Sequence, residues 1–231
     1  MRDVIIACDF QNREETMGFL SRFEGEKPYL KIGMELFYGQ GPEIVREIKG
    51  AGFSVFLDLK LHDIPNTVRK AMTNLARLGV DMVNVHASGT IAMMEAAKEG
   101  LLEGQGDDVK LIAVTQLTST TEAVMQRELL INAGLDDTVS KYAHNAKLAG
   151  LDGVVCSPLE TRLVKAACGQ SFLTVTPGIR YPEGSADDQR RITSPGRARE
   201  LGSDYIVLGR PITAADDPLA AWRRVRADFI G

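Results

Sequence analysis

Residues 56 to 66 read FLDLKLHDIPN, a stretch in which ionisable side chains are threaded through an apolar run. Its apolar members are typical of a buried strand: Phe56, Leu57, Leu59, Leu61 and Ile64. Between them stand four ionisable residues, Asp58, Lys60, His62 and Asp63. Ionised groups are almost never buried unless they are paired or functional, so the stretch predicts a strand that carries chemistry.

Side chains alternate between the two faces of a β-strand, and this alternation sorts the stretch into two sets. One set is apolar and would face surrounding helices: Leu57, Leu59 and Leu61. The other set is ionisable and would face the opposite way: Asp58, Lys60 and His62. Asp63 lies three residues after Lys60, so on a regular strand its side chain would not share the face of this second set.

Similar apolar, β-branched runs recur along the chain, and we count eight: residues 3–10, 29–36, 54–61, 82–87, 110–117, 153–158, 172–179 and 204–210. The segments between them place apolar residues three and four apart, and several end at glycine, as helices do. Strand and helix therefore alternate throughout, which predicts an α/β protein with a parallel sheet.

A closed (β/α)8 TIM barrel fits this alternation better than an open sheet. Eight repeats fill the 231 residues without a linker, so we predict a single barrel domain over residues 1–231. An open sheet should carry a glycine-rich dinucleotide motif after its first strand, and DFQNREET has none. The long segments 118–135 and 180–196 follow strands and would lie on the face where barrel active sites form.

The composition is that of an ordinary globular protein, with 27 basic and 31 acidic residues and a net charge of −4. No basic block predicts a nucleic-acid partner, and no run approaches the roughly 20 apolar residues of a membrane span. The run MRDVIIACDF is too short for a secretory signal. Three widely spaced cysteines show neither zinc nor redox spacing, so we expect a reduced, cytoplasmic location and no metal site.

Charged residues at the ends of several predicted strands would converge at the mouth of such a barrel. Asp9 closes the first run, Lys31 lies in the second, and Asp58 and Lys60 lie in the third. Alternating carboxylates and ammonium groups stabilise one another's charged forms, which predicts a preorganised ionic site. The alternative is a structural ion pair that plugs the barrel.

The three histidines are predicted to be structural. His62 and His86 stand at strand ends, where a histidine with structural hydrogen bonds is commoner than one that binds a metal or substrate. His144 lies in the middle of a predicted helix and is expected at the surface.

The ends of the last two runs predict a phosphate site. TVTPGIR (174–180) contains a glycine turn, and IVLGR (206–210) ends in Gly209, which allows a close backbone approach, and Arg210, a bidentate donor to phosphate. Barrels frequently bind phosphate after their seventh and eighth strands. Ordinary loop turns would also account for either motif alone.

The stretch DLKLHDIPNTV (58–68) resembles the orotidine 5'-monophosphate decarboxylase family, through its Asp-x-Lys-x-x-Asp signature followed by Ile-Pro-Asn-Thr. The resemblance covers nearly the whole chain in six further motifs: ACDF (7–10), LKIGMELF (30–37), VNVHA (83–87), LTST (117–120), TPGIR (176–180) and VLGRPIT (207–213). It implies a TIM barrel that decarboxylates orotidine 5'-monophosphate (OMP) as a homodimer, with neither a metal nor an organic cofactor.

The resemblance also implies a role for each matching residue. A catalytic tetrad of alternating charges would consist of Lys31, Asp58, Lys60 and Asp63, with Lys60 as the proton donor. Asp9 and Lys31 would hold the ribose, joined by Asp63 and Thr67 of a second subunit. The other substrate-binding residues would be Thr118 at the pyrimidine, Gln189, Gly209 and Arg210 at the phosphate, Pro177 and Ile64 along the pocket, and Arg180.

Three other functions remain open from the sequence. The Asp-x-Lys-x-x-Asp signature is shared with sugar-phosphate decarboxylases and hexulose-phosphate synthases, which act on open-chain sugar phosphates. A Schiff-base aldolase could use Lys60 or Lys31, although flanking carboxylates oppose the neutral amine it needs. A noncatalytic barrel would bind phosphate ligands without turning them over.

Overall fold

The computed structural model describes residues 2–23, 25–181 and 193–231. Its strands form a closed parallel barrel in which each strand pairs with the next along the chain and β8 pairs with β1. The eight strands are β1 (Asp3–Ala7), β2 (Tyr29–Gly33), β3 (Val55–Leu61), β4 (Met82–His86), β5 (Lys110–Val114), β6 (Gly153–Val155), β7 (Leu173–Thr176) and β8 (Tyr205–Leu208). The predicted (β/α)8 barrel is confirmed.

Helices surround the barrel and connect successive strands. In the described residues they are α1 (Arg13–Leu20), α2 (Met34–Gln40), α3 (Glu43–Gly50), α4 (Pro65–Ala76), α5 (Thr90–Glu103), α6 (Glu122–Glu128), α7 (Leu135–Leu148), α8 (Thr161–Cys168), α9 (Pro195–Leu201), α10 (Arg210–Thr213) and α11 (Pro218–Ile230). Short 3₁₀ turns occur at Ser21–Phe23, Ala87–Gly89 and Pro158–Glu160. None of the helices in this part of the chain has the length and apolar character needed to cross a membrane.

All eight predicted runs contain a strand, but the strands are shorter than the runs. The first run was expected to extend through Asp9, whereas β1 ends at Ala7 and Asp9 lies in the loop beyond it. The N–H of Cys8 still donates to the carbonyl of Lys31 at 2.9 Å, so Asp9 follows directly on the last ladder contact. The long segment after β5 contains α6, and most of the segment 180–196 falls outside the described residues.

The core has two layers that follow from strand alternation. Inside the barrel, side chains such as Ile5, Phe56 and Ile112 pack against one another. On the other face, neighbours such as Val4 and Leu57 pack against the helices. The interior of the barrel is therefore filled with side chains below its mouth, as in other barrels of this size.

Strand β3 is irregular where it passes β4. Leu57 pairs with Val83 and Leu61 pairs with Val85, so β3 uses four residues where β4 uses two. Within this irregular stretch Lys60 has a φ of 52°, a left-handed conformation that is uncommon for a residue with a side chain. Such outliers concentrate at functional sites, where the surrounding structure holds them in place.

Three aspartates fasten the N-terminal end of the barrel, and we call them the aspartate clamps: Asp81, Asp152 and Asp204. Each stands immediately before an even-numbered strand: β4, β6 and β8, respectively. Each accepts a hydrogen bond from a main-chain N–H near the start of the odd-numbered strand that comes before it in the chain, from Val55 in β3 (2.7 Å), Leu111 in β5 (2.7 Å) and Thr174 in β7 (2.8 Å), respectively. Each carboxylate also lies near the ammonium group of a lysine on the helix that precedes the odd-numbered strand. The distances from Nζ to Oδ2 are 2.6 Å for Lys49, 3.9 Å for Lys98 and 2.7 Å for Lys165.

The aspartate clamps share a sequence pattern, Gly-x-Asp, at Gly79, Gly150 and Gly202. All three glycines have positive φ, between 70° and 95°. Glycine adopts this conformation without steric cost, so it can end a helix and turn the chain sharply into the next strand. The aspartate two residues later is thereby placed at the base of the neighbouring strand.

The clamp at Asp204 should contribute most to stability because its lysine is the most deeply buried. The Lys165 ammonium donates to Asp204 and to the carbonyls of Gln170 and Phe172, and its side chain is 7% exposed. Asp204→Ala leaves a buried cation without its counter-charge, which should cost about 3 kcal/mol of unfolding free energy. Urea denaturation measures this loss.

The matched control is Glu200→Ala, which breaks an exposed pair with Arg197 and should cost less than about 1 kcal/mol. Equal losses in the two variants would show that the clamp stabilises no more than a surface pair.

Candidate active site

A cavity of about 620 Å³ opens at the C-terminal mouth of the barrel. Its floor is apolar and is formed by side chains of five strands, β3, β5, β6, β7 and β8: Phe56, Val114, Val155, Val175 and Val207. Its rim is polar and carries charged residues from the ends of β1, β2, β3 and β8. This size and this mixture of surfaces suit a small-molecule ligand.

Four charged side chains form a continuous chain along one side of the cavity, with alternating sign. Lys31 Nζ lies 2.8 Å from Asp9 Oδ1 and 3.5 Å from Asp58 Oδ2. Lys60 Nζ lies 2.6 Å from the other oxygen of Asp58, Oδ1. The Asp58 carboxylate is therefore held between two ammonium groups, one from β2 and one from its own strand.

Burial and charge act in opposite directions on the two central members of this chain. Burial alone would raise the pKa of Asp58, but the positive charges of Lys31 and Lys60 outweigh it and hold that pKa below its usual value of 3.8. Burial alone would lower the pKa of Lys31, but Asp58 and Asp9 outweigh it and raise that pKa. Both groups are therefore charged at neutral pH.

Gly33 leaves the space in which the outer part of this chain fits. A Cβ at this position would lie 3.0 Å from both Asp9 Oδ1 and Lys31 Nζ. That is tighter than ordinary van der Waals contact, so a larger residue would push the two charged groups apart.

The predicted phosphate side of the cavity lies at the ends of β7, which is opposite β3, and β8, which is next to β1. Strand β7 stands four places from β3 in the ring of eight, and the residues that follow β7 and β8 line the same cavity. Five predicted substrate-binding residues line the cavity: Thr118 after β5, Pro177 and Arg180 after β7, and Gly209 and Arg210 after β8. Apart from the neighbours of Gly209 in sequence, no atom of the described residues comes closer than 3.7 Å to the position of a Cβ on Gly209, so packing among these residues does not demand glycine there.

Three of the predicted site residues lie outside this cavity. Asp63 and Ile64 line a separate shallow cleft, and Thr67 is exposed on the first turn of α4. Asp63 Oδ1 accepts a hydrogen bond from the N–H of Ile64 at 2.6 Å and does not join the chain of alternating charges within this subunit. Gln189 lies outside the described residues.

The histidines do not enter the cavity. His62 was expected to share a face with Asp58 and Lys60, but β3 ends at Leu61, and His62 is exposed in the shallow cleft. Its ring lies 5.7 Å from that of His86, whose pKa is lowered by burial and by the neighbouring charges of His62 and Lys60. His144 is exposed on α7, as predicted. Among the described residues, no cluster of three or more acidic, histidine or cysteine side chains is arranged to hold a metal ion.

Asn84 and Gln116 are site residues that the sequence analysis missed. Asn84 Nδ2 donates to Asp58 Oδ1 at 2.7 Å, and Asn84 Oδ1 accepts from the main-chain N–H of Lys60 at 2.8 Å. Gln116 is buried in the cavity wall just before Thr118. The signal for Asn84 was present, because it is a polar residue at the centre of the apolar strand MVNVH.

The family model for the Orotidine 5'-phosphate decarboxylase / HUMPS family matches residues 2–225 of the chain. Among curated proteins, the chain is 56% identical to an orotidine 5'-phosphate decarboxylase of Listeria innocua over 231 residues, with 99% of each chain covered. It is 52% identical to the protein of that name from Bacillus cereus over 233 residues, with 100% of this chain and 98% of the relative covered.

Two solved structures are similar over nearly their full lengths. One is orotidine 5'-phosphate decarboxylase from Lactobacillus acidophilus, with a TM-score of 0.90, 40% identity and 100% of both chains covered. The other is an uncharacterized conserved protein from Geobacillus kaustophilus, with a TM-score of 0.88, 49% identity, and 98% of this chain and 99% of that chain covered.

The lowered pKa of Asp58 predicts a specific pH dependence of stability. A carboxylate whose pKa is lower in the folded than in the unfolded protein stabilises the fold above the unfolded pKa and loses this contribution as pH falls through the folded one. As pH is lowered from about 5 to about 3, the unfolding free energy of the wild type should therefore fall more steeply than that of Asp58→Asn. Urea titrations at each pH measure the two slopes.

Asp107→Asn removes an exposed carboxylate and serves as the control, which should follow the wild type. Parallel curves for the wild type and Asp58→Asn would contradict the interpretation of Asp58 as a strongly stabilised buried anion.

Proposed function

The chain belongs to the Orotidine 5'-phosphate decarboxylase / HUMPS family, and we propose that it converts OMP to UMP and CO₂, the last step of de novo UMP synthesis. The observation that carries the proposal is the chain of alternating charges at the barrel mouth, with the ammonium of Lys60 held by Asp58 over an apolar floor. The function rests on this site together with full-length similarity to decarboxylases.

The cavity offers each part of OMP a chemically matching surface. Gly209 and Arg210, which follow β8, would bind the phosphate. Asp9 and Lys31, which form an ion pair 2.8 Å long, would hydrogen-bond the ribose hydroxyls. Thr118 and Pro177 line the same cavity and would contact the pyrimidine. This orientation directs the base toward Lys60.

Two further residues belong to the proposed binding site. Arg180 lines the cavity after β7, and Gln189 is proposed as a phosphate ligand from the family resemblance. The remote phosphate contacts would supply binding energy that assists a reaction taking place at the base.

The chemical step needs electrostatic stabilisation above all. Breaking the bond between C6 and the carboxylate releases CO₂ and leaves its electron pair on C6, where no carbonyl is positioned to delocalise it. A fixed ammonium beside C6 stabilises this developing charge in a site of low polarity. Lys60 then gives its proton to C6 to form UMP, and solvent returns a proton to the amine.

Asp58 would hold the proton donor in place during this step. Its carboxylate binds Lys60 at 2.6 Å and Lys31 at 3.5 Å, so both ammonium groups are oriented before substrate arrives. The reaction as proposed draws on these side chains alone and uses neither a metal nor an organic cofactor.

The charges also weigh against the Schiff-base aldolase. Such an enzyme needs a neutral amine as nucleophile. Burial would lower the pKa of Lys31, but the charges of Asp58 and Asp9 outweigh burial and raise that pKa, so the charged form is favoured. Lys60 in turn is held in an ion pair. A sugar-phosphate decarboxylase or hexulose-phosphate synthase would share the charged strand but would act on a substrate without a pyrimidine.

We further propose a homodimer in which Asp63 and Thr67 complete the partner's site. Asp63, Ile64 and Thr67 are all exposed, although the family resemblance assigns each of them to the active site. Ile64 is extended, with φ −59° and ψ 148°, and carries the chain away from Lys60 instead of turning back. Ile64 would then line the pocket from the same interface.

The remaining parts of the proposal concern the protein as a whole. Residues 1–231 would form one barrel domain, since the strands run in order from Asp3 to Leu208 and α11 packs back onto β1. The enzyme would work in the cytoplasm, where three unpatterned cysteines suit a reduced compartment.

Purified protein should decrease the absorbance of OMP as UMP forms, and Lys60→Ala should nearly abolish this turnover. UMP binding should persist in the variant, because the phosphate and base contacts lie elsewhere. A variant that keeps more than about a tenth of wild-type kcat, a loss of under about 1.4 kcal/mol, would exclude Lys60 as the proton donor.

The assay is repeated with an open-chain sugar phosphate and with added chelator. Turnover of the sugar phosphate in place of OMP, or activity that is lost in chelator and restored by Mg²⁺, would favour the other enzymes of the family.

Two inactive variants, Lys60→Ala and Asp63→Ala, should complement each other if Asp63 acts in the partner's site. Subunits that are unfolded together and refolded pair at random, so half of the dimers are mixed. Each mixed dimer holds one site with both defects and one with neither, so about a quarter of wild-type activity should return.

An affinity tag on one variant isolates the mixed dimers and serves as the control for pairing. Mixed dimers without activity would place Asp63 in the site of its own subunit.

A further inference from the structure

Asn84 links the two central residues of the charged chain through one carboxamide. It lies in the middle of β4, with 1% of its surface exposed. Its Nδ2 donates to Asp58 Oδ1 at 2.7 Å, and its Oδ1 accepts from the main-chain N–H of Lys60 at 2.8 Å. One buried side chain therefore holds the carboxylate of Asp58 and the backbone of Lys60 at once.

The backbone of Lys60 needs such a partner because β3 leaves its regular ladder here. The pairing of β3 with β4 jumps from Leu57–Val83 to Leu61–Val85, and Lys60 lies within the jump at φ 52°. Asn84 is the β4 residue between the two paired valines, so its side chain stands opposite the irregular stretch. The carboxamide provides the acceptor that the strand ladder does not provide to this N–H.

Few side chains can take this place. The N–H of Lys60 can only donate, and the Asp58 carboxylate accepts, so their shared partner must offer an acceptor and a donor together. An asparagine carboxamide does this with a fixed geometry, and these two contacts determine which way it is oriented. An apolar residue of the same shape offers neither group.

We propose that Asn84 is a positioning residue for decarboxylation, which holds Lys60 and Asp58 in the relative orientation that proton delivery requires. The inference deepens the proposed function and rests on it. Asn84 lies beneath these two residues and is not among the residues that line the cavity, so it acts through them and not on the substrate. Small displacements of a reacting group reduce rates steeply, by about a hundredfold for 1 Å.

The deciding variant is Asn84→Leu, which keeps the branched shape and removes both hydrogen bonds. Asn84→Ala, which adds no bulk, replaces it if the leucine variant does not fold. The measurements are kcat with OMP, the dissociation constant of UMP by calorimetry, and the thermal midpoint.

The matched control is Ser203→Ala, which also removes buried hydrogen bonds, in this case to Thr161 and Thr176. Ser203 itself lies just before β8 and does not line the cavity. Any rate loss caused merely by a looser fold should appear in this variant as well.

We expect kcat of the Asn84 variant to fall at least tenfold, while its UMP dissociation constant stays within about threefold of the wild type. Ser203→Ala should lower the thermal midpoint about as much as the Asn84 variant does, but it should keep the kcat of the wild type. The inference is overturned if kcat stays within threefold of the wild type, or if kcat and UMP affinity fall together in both variants. If the wild type does not convert OMP, both the proposed function and this inference are wrong. If the wild type is active and the Asn84 variant is equally active, only the inference is overturned.

Discussion

Burial of the Asp58 carboxylate is the constraint on which the rest of the site depends. An anion removed from water must be matched by positive charge and by hydrogen-bond donors, and the barrel supplies these from three adjacent strands. Lys31 comes from β2, Lys60 from β3 and Asn84 from β4. Lys60 binds Asp58 from within the stretch where β3 is irregular, and Asn84 holds the backbone of that stretch.

Strand periodicity predicted much of this arrangement. The eight strands and the positions of Lys31, Asp58 and Lys60 follow from apolar patterning and from the rule that barrel sites form where strands end. Asn84 was missed because a single polar residue within an apolar strand does not reveal its partner on the neighbouring strand. Asp63 and Thr67 stay predictions, since one subunit cannot show a site completed by two.

The two ends of the barrel use charge in different ways. At the C-terminal mouth the charged side chains line a cavity and are accessible to a ligand. At the N-terminal end each aspartate clamp uses its carboxylate on a main-chain N–H and on a lysine, as Asp204 does with Thr174 and Lys165. The clamps were not predicted, although the Gly-x-Asp pattern recurs at each of them, because its function depends on contacts between consecutive strands.

The aspartate clamps also bear on the order in which the barrel assembles. Their main-chain bonds join residues 26, 41 and 30 positions apart, so each closes a unit of two consecutive strands and the one or two helices between them. Loops of this length close at a smaller entropic cost than the pairing of the chain's two ends, where Asp3 meets Tyr205. This difference in closure cost favours folding by successive local units, so we expect the seam between β1 and β8 to form last.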